Sequence, residues 1–130
     1  MTRKQAREEA FILIFEKQFN DSSLQDILDL AVEVRDINPD DYIKNAFFGV
    51  YNNVGDIDEI ISKNASGWSI SRLSKTALAV LRLAVYEIKY MPDIPVAVSI
   101  NEAVEILKKY ATTEDAKYVN GILSTVKSIV

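Results

Sequence analysis

The stretch Ala77-Leu-Ala-Val-Leu-Arg-Leu-Ala-Val-Tyr-Glu-Ile88 decides the fold of this chain, because Arg82 and Glu87 are its only charged residues. A helix with this sequence is apolar around most of its circumference, so it is buried among other helices or crosses a membrane. A crossing requires about 20 consecutive apolar residues, whereas lysines interrupt the surrounding segment 73–91. The sequence therefore predicts a buried central helix with one narrow solvent edge, formed by Lys75, Arg82 and Lys89.

Composition limits both the architecture and the chemistry. The 130 residues are 48% hydrophobic, enough for the core of one domain, and only 4 Gly and 3 Pro favour long helices. The counts of Cys and His are both 0, which excludes thiol nucleophiles, Ser-His-Asp triads and thiolate or imidazole metal ligands. No glycine spacing forms a phosphate loop and no carboxylate pair stands out, so we expect neither an enzyme nor a metal or cofactor site. Without cysteine or a signal-peptide pattern, the expected location is the cytoplasm, with no membrane contact.

Helical periodicity extends through the rest of the chain, and no segment shows the alternation of a strand. Apolar stripes predict an all-α bundle of about seven helices, the first running from Arg3 to about Phe19 and burying Ala6, Ala10, Leu13 and Ile14. The stripe of the second helix consists of Leu24, Ile27, Leu28, Ala31 and Val34, and that of the last includes Ile129. The sixth helix is expected to carry an outward pair between Glu105 and Lys109.

Capping patterns predict where the helices begin. Ser22 is the expected N-cap of the second helix and Asn38, before Pro39, that of the third. Asp56 is expected to start the fourth helix, and Ser99-Ile-Asn-Glu102 reads as a capping box for the sixth. The lone Trp68 is predicted to anchor packing rather than to bind a ligand.

The N-terminal turn has an unusual charge pattern. Arg3, Lys4 and Arg7 occupy the start of a helix, where the macrodipole disfavours cations. On a helical wheel they continue into Phe15 and Gln18, so the strip combines cations for phosphates with a ring that can stack on unpaired bases. The other interpretation, which composition alone favours, is a basic terminus above aromatic core residues. Since the net charge is −4, any site for a polyanion is local.

Asn120-Gly121 is the second unusual feature, since glycine inside a helix costs about 1 kcal/mol relative to alanine. A close helix crossing would explain Gly121. Asn120 lies beside Lys117 and opposite the apolar face, which makes it a candidate ligand contact.

Four segments then carry a resemblance to a known family: Arg3-Lys-Gln-Ala-Arg-Glu8, Leu81-Arg-Leu-Ala-Val-Tyr-Glu-Ile88, Ile100-Asn-Glu-Ala-Val-Glu105 and Lys117-Tyr-Val-Asn-Gly-Ile-Leu123. In order and spacing, with the connector ending at Ile94-Pro95, they resemble the NusB family of transcription antitermination factors. The resemblance implies a single NusB-like domain over 1–130, with a three-helix half at about 1–55 and a four-helix half at about 56–130.

The resemblance also implies a function. The family binds single-stranded boxA-type RNA, notably of ribosomal RNA operons, together with the ribosomal protein NusE, and the resulting complex helps RNA polymerase to read through terminators. Carried over residue by residue, the expected RNA contacts are Arg3, Lys4, Arg7, Phe15, Gln18, Lys117, Tyr118, Asn120 and Ser124. The expected protein partner uses the C-terminal half, where the candidates are Arg82, Tyr86, Asn101 and Glu102, although Arg82 and Tyr86 also fit a solvated edge.

Some members of the family self-associate through the RNA face, so a homodimer through the first helix, at Phe11, Phe15 and Phe19, is a further expectation. Four positions depart from the pattern of the family, namely Gln5, Phe15, Ala77 and Ser124. They leave open an alternative, a helical protein-interaction or regulatory module with this fold and no specific RNA binding. The NusB-like domain of an RNA methyltransferase is a third interpretation, which would require a catalytic domain beside it.

Overall fold

A computed structural model describes residues 1–65 and 70–127 of the chain. Within them lie seven α-helices and no strand, which confirms the all-α fold class. The helices are α1 (Arg3–Lys17), α2 (Leu24–Arg35), α3 (Asp41–Asn52), α4 (Val54–Asn64), α5 (Lys75–Tyr90), α6 (Val96–Tyr110) and α7 (Thr113–Val126), and a short 3-10 helix (Ile70–Arg72) precedes α5. None of the described helices has the length and apolar character of a membrane span. Trp68 and Ile129 lie outside the described residues.

The central helix is α5, as the sequence predicts. It packs against α1, α3, α4, α6 and α7, and it buries eleven of its residues, from Ala77 to Leu81 and from Leu83 to Ile88. The hydroxyl of Ser74 accepts a hydrogen bond from the Ala77 amide at 3.0 Å and starts the helix. Tyr90 ends the helix before the two prolines of the following connector, because proline lacks the amide donor that a continuing helix needs.

The apolar stripes hold with one exception. Ala6, Ala10, Leu13 and Ile14 of α1 are completely buried, and α1 packs on α2, α3 and α5. Ile27, Leu28 and Ala31 of α2 are buried too, but Val34 is 70% exposed, so its placement in the core was wrong. The helix α2 lies at the edge of the bundle, where α1 covers only a narrow stripe of it. The division into halves at about 1–55 and 56–130 stays a prediction.

Two helix starts differ from expectation by one or two residues. Ser23, not Ser22, caps α2 by accepting a hydrogen bond from the Asp26 amide at 3.1 Å. Asp40, not Asn38, caps α3 and accepts from the Ile43 amide at 2.9 Å. In both places several adjacent polar residues can cap a helix, and tertiary packing selects among them.

The other two predicted helix starts were wrong, because the residues expected there contact α5 instead. The helix α4 begins at Val54, and the carboxylate of Asp56 instead pairs with the Lys89 ammonium at 2.5 Å. The helix α6 begins at Val96, directly after Pro95. Ser99, the expected N-cap of α6, is 2% exposed and donates its hydroxyl to another helix.

The expected pair between Glu105 and Lys109 is also wrong. Glu105 pairs with Lys108 at 3.3 Å, whereas the Lys109 ammonium lies 2.5 Å from the Glu8 carboxylate of α1. The interhelical partner thus replaces the one expected from spacing along a single helix.

Candidate nucleic-acid interface

A buried ionic cluster lies directly below the N-terminal turn of α1. The carboxylate of Glu87 accepts hydrogen bonds from Arg7 Nε at 2.7 Å, from Arg7 Nη2 at 3.4 Å and from the Ser99 hydroxyl at 2.7 Å. The hydroxyl of Tyr42 donates a further hydrogen bond to the same carboxylate. All four residues are buried. We call Arg7, Tyr42, Glu87 and Ser99 the Glu87 cluster; it joins α1, α3, α5 and α6.

The Glu87 cluster raises the pKa values of two of its members, Arg7 and Tyr42. Burial alone would lower the pKa of the Arg7 guanidinium, but the hydrogen bond and the charge of Glu87 outweigh it and raise that pKa. Burial, followed by the charge of Glu87 and its hydrogen bond, raises the pKa of the Tyr42 hydroxyl well above its usual value. Arg7 is therefore a buried cation held by Glu87, and the expectation that it takes RNA phosphates does not fit this placement.

Arg3 and Lys4 are exposed at the N-terminus of α1. The guanidinium carbon of Arg3 lies 4.5 Å from the centroid of the Tyr42 ring. The ammonium of Lys4, with a side chain 69% exposed, lies 3.6 Å from the Glu102 carboxylate of α6. These two cations can reach a phosphate from solution, since neither is enclosed by the core.

A groove between α1 and α6 extends from Lys4. We call it the α1–α6 groove; its volume is about 350 Å³, and its lining includes Lys4, Glu8, Glu105, Lys108 and Lys109. Within it the Glu8 carboxylate accepts hydrogen bonds at 2.5 Å from both Lys109 and the Tyr110 hydroxyl. The hydrogen bond from Lys109 lowers the pKa of Glu8, and the same bond raises the pKa of Lys109.

A second groove, about 570 Å³ in volume, lies between α6 and α7. This α6–α7 groove is lined by Asn101, Val104, Glu105, Lys108, Thr113, Ala116, Lys117 and Asn120. It shares Glu105 and Lys108 with the α1–α6 groove. The basic start of α1 and the Lys117–Asn120 segment of α7, far apart in sequence, therefore border one continuous surface that crosses α6.

Lys108 and Lys109 were not predicted as site residues. Their signal in the sequence is weak, because two lysines in the last turn of a helix are also the ordinary complement to its dipole. Only the fold, in which α6 packs on α7 and its Lys109 side chain reaches Glu8 of α1, shows that they connect the two predicted regions.

Aromatic rings form a row along the remainder of α1. The ring centroids of Phe11 and Tyr110 are 5.2 Å apart, those of Phe11 and Phe15 6.3 Å, and those of Phe15 and Phe19 5.2 Å. Phe11 is buried and Phe15 partly buried, whereas Phe19 is 64% exposed and Tyr110 41%. The row thus presents rings both to the core and to solvent.

Gln18, in the same region, donates its amide to the backbone carbonyl of Lys75 at 2.9 Å.

The predicted contacts on α7 point in different directions. Lys117 and Asn120 are exposed beside the α6–α7 groove. The Tyr118 hydroxyl instead lies 3.4 Å from the Ala65 carbonyl. Ser124 donates its hydroxyl to the Asn120 carbonyl within the same helix, at 2.8 Å.

The helix-crossing explanation for Gly121 was wrong. Among the described residues, a Cβ atom added there would meet nothing within 4 Å. The tight position is Gly49 of α3, where an added Cβ would overlap the ring of Tyr86.

The four candidates for a protein partner do not form one surface. Arg82 is held by Asp58 through two hydrogen bonds of 3.0 and 2.9 Å, and Tyr86 is 7% exposed and donates to Asn45. Both side chains are held by contacts within the fold, and Tyr86 is buried rather than at a solvated edge; a partner contact at either residue stays a prediction. Asn101 is exposed, and Glu102 lies between Lys4 and Arg7, 3.8 Å from the latter.

Among the described residues, no group of three or more carboxylates could hold a metal ion.

Comparison with known proteins gives consistent matches over nearly the whole chain. A model of the NusB family matches residues 4–128. The transcription antitermination protein NusB of Listeria monocytogenes serotype 4a (strain HCC23) is 42% identical over 127 residues, which are 97% of this chain and 96% of that protein. A structure of T. maritima NusB has a TM-score of 0.86 at 35% identity and covers 98% of this chain and 92% of that one. A crystal structure of antitermination factors NusB and NusE in complex with dsRNA has a TM-score of 0.88 at 28% identity, covering 98% of this chain and 97% of that one.

Proposed function

Because the chain belongs to the NusB family, we propose that it is an RNA-binding transcription antitermination factor that binds boxA-type single-stranded RNA together with ribosomal protein NusE. Its relatives are transcription antitermination proteins, and the chain is not an enzyme. A structurally similar chain belongs to a complex of NusB and NusE with dsRNA, which supports NusE and RNA as partners. The observation that carries the proposal is the continuous surface across α6, which connects Lys4 with Lys117 and Asn120.

The proposed RNA surface differs in part from the one expected from sequence. Arg3, Lys4 and Lys117 supply exposed positive charge, and Asn120 can both donate and accept hydrogen bonds at a base edge. Phe15 and the exposed Tyr110 offer faces on which unpaired bases can stack. Gln18, Tyr118 and Ser124 remain proposed contacts at the rim, and Arg7 supports this surface from below.

The protein partner and RNA are proposed to bind cooperatively. Two modest sites on one molecule reinforce each other when both are occupied, because the second binding event becomes intramolecular. Asn101 and Glu102 are the proposed contacts for the partner, since both lie on α6 next to the RNA surface. Recruitment into an RNA polymerase antitermination complex in the cytoplasm belongs to the same proposal.

A homodimer through α1 is proposed for the RNA-free protein. Phe19 is 64% exposed at the end of the aromatic row, and burying it against a second copy would remove apolar surface from water. Light scattering with and without RNA tests this proposal. A monomer at all concentrations would exclude the homodimer and leave the RNA proposal intact.

The RNA proposal is tested by fluorescence anisotropy with a labelled boxA-type RNA. The single strand, a scrambled single strand and the duplex form are each measured with and without NusE. We expect the boxA single strand to bind most tightly and NusE to increase its affinity. If three cations contact phosphates, log affinity falls against log salt with a slope of about −2. Equal affinity for the scrambled strand would contradict the proposal.

A charge-matched pair of variants locates the RNA surface. Lys4→Ala is expected to weaken binding and to reduce the salt slope by about 0.7, the value for one single-strand contact. Lys63→Ala is the control, because Lys63 is 69% exposed, like Lys4, but lies on α4 outside both grooves. Equal losses in the two variants would mean that binding depends on net charge rather than on this surface.

The alternative is a helical protein-interaction module without specific RNA binding. The carboxylates of Glu8 and Glu102 favour it, because they lie against Lys109 and Lys4 and offset part of the positive charge. Pull-down with NusE after nuclease treatment separates the two functions. A module of this kind would keep NusE and show no preference for boxA RNA.

A further inference from the structure

We propose that Tyr42 of α3 is a positioning residue, which holds the guanidinium of Arg3 over its ring so that Arg3 can bind an RNA phosphate with two parallel hydrogen bonds. This inference rests on the proposed function, since it assigns the geometry of one contact within the RNA surface.

Arg3 differs from the other cations around it in what it contacts. Arg7 is paired with Glu87 at 2.7 Å, Lys4 lies 3.6 Å from Glu102, and Lys109 lies 2.5 Å from Glu8. Within residues 1–65 and 70–127, Arg3 has no carboxylate within ion-pair distance, and its guanidinium carbon lies 4.5 Å from the Tyr42 ring centroid. Arg3 is thus oriented by an aromatic ring without being neutralised by an acid.

This orientation suits a phosphate. A guanidinium stacked on a ring uses its flat face for the contact, which leaves the N–H groups at its edge free to bond other acceptors. Those donors form a fork that matches two phosphate oxygens. Lysine at the same position would keep the charge but would have neither the plane for stacking nor the fork.

The Tyr42 ring is itself held rigidly. The residue is 4% exposed, its hydroxyl donates to the buried Glu87 carboxylate, and the Arg7 guanidinium carbon lies 5.7 Å from the ring centroid. The Glu87 cluster therefore fixes the ring on which Arg3 rests. A side chain held in its bound orientation loses less conformational entropy on binding, and the affinity rises accordingly.

A double-mutant cycle on RNA affinity tests the inference. Tyr42→Leu removes the ring, and we expect about a threefold to tenfold loss of boxA RNA affinity, in the range of a cation–π contact. In an Arg3→Ala background, Tyr42→Leu is expected to cause no further loss. Tyr42→Phe keeps the ring and is expected to retain the affinity within about twofold.

Arg3→Lys gives a second readout that does not disturb the core. Affinity is expected to fall about threefold while the slope against salt stays unchanged, because the charge is kept and the stacked fork is lost. Circular dichroism at the assay temperature establishes that each variant is folded. If Tyr42→Leu does not fold, Arg3→Lys decides the question.

The outcomes separate the two proposals. Additive losses from Arg3→Ala and Tyr42→Leu, or full affinity in Arg3→Lys, would overturn the positioning role and leave RNA binding by Arg3 in place. If Arg3→Ala itself has no effect on RNA affinity, the proposed RNA contact of Arg3 fails first.

Discussion

Both the Glu87 cluster and the exposed cations of α1 and α6 contain charged side chains, but the first group is buried and the second faces water. In the cluster, Arg7 and Glu87 are both buried, and the guanidinium of Arg7 pairs with the carboxylate of Glu87. One helical turn away Arg3 and Lys4 face water, as do Lys108 and Lys109 on α6. Arginine and glutamate in one region hold four helices together, whereas arginine and lysine in the other remain able to bind a partner.

The difference follows from desolvation. A buried charge is tolerated only with a partner, and removing that partner is costly because the remaining charge stays uncompensated. Exposed ion pairs contribute little, commonly 0.2 to about 1 kcal/mol, because water and salt screen them. Mutations in the first region should therefore change stability, and mutations in the second should change RNA affinity.

The strongest test of this contrast is Glu87→Ala. It leaves the Arg7 guanidinium buried without its partner, so we expect a loss of about 3–5 kcal/mol in the free energy of unfolding, measured by urea denaturation. The matched control is Glu102→Ala, whose carboxylate is 25% exposed and lies 3.8 Å from Arg7, and which should cost less than about 1 kcal/mol.

A rescue experiment sharpens the result for Glu87. Combining Glu87→Leu with Arg7→Met removes both charges, and part of the lost stability should return. If Glu87→Ala costs no more than Glu102→Ala, the cluster does not hold the helices together.

Two glycines extend the comparison from charge to packing. Gly49→Ala should destabilise the protein by about 1–3 kcal/mol, because the added methyl group overlaps the Tyr86 ring and displaces it from Asn45. Gly121→Ala should stabilise the protein by up to about 1 kcal/mol, because no described residue lies near the added methyl group and alanine favours a helix. Thermal unfolding measures whether Gly49→Ala is less stable and Gly121→Ala more stable than the wild type. A loss in Gly121→Ala would show that this glycine has a structural role that its surroundings do not reveal.

Alkaline pH tests the Tyr42 member of the cluster. Its pKa is raised from the ordinary value of 10.0, so its contribution to stability is complete below pH 10.0 and declines as the unfolded state loses the proton. Above that pH we expect a loss of about 1.4 kcal/mol per pH unit from this residue. The stability difference between the wild type and Tyr42→Phe, followed from pH 9 to 11 by urea denaturation, removes the shared contribution of the other tyrosines. A difference that is independent of pH would contradict the burial of this hydroxyl.

The smallest expected effect concerns the exposed region. Glu8→Gln removes the carboxylate that binds Lys109 in the α1–α6 groove, and RNA affinity should rise by up to about fivefold. Glu59→Gln is the control, because Glu59 also pairs with a lysine, Lys63, but on α4. An equal rise in both variants would attribute the effect to net charge alone.

Hydrophobic periodicity was sufficient for much of the fold. The apolar run from Ala77 to Ile88 predicted the buried central helix, because a helix without a polar face has to be covered on every side. The first helix, with Ala6 and Leu13 inward, followed from the same rule. Helix starts were less predictable, since Ser99 fits a capping box in sequence and yet serves as a buried donor to Glu87 in the fold.

The candidate site was only partly predictable. The sequence indicated Arg3, Lys4, Lys117 and Asn120 by residue type and by resemblance, and the structure exposes all four. The sequence alone could not distinguish Arg3 from Arg7, which lie one helical turn apart and have the same side chain. Only the packing of α1 on α3 and α5 decided that Arg7 meets Glu87 in the core while Arg3 remains at the surface, because burial depends on residues distant in sequence.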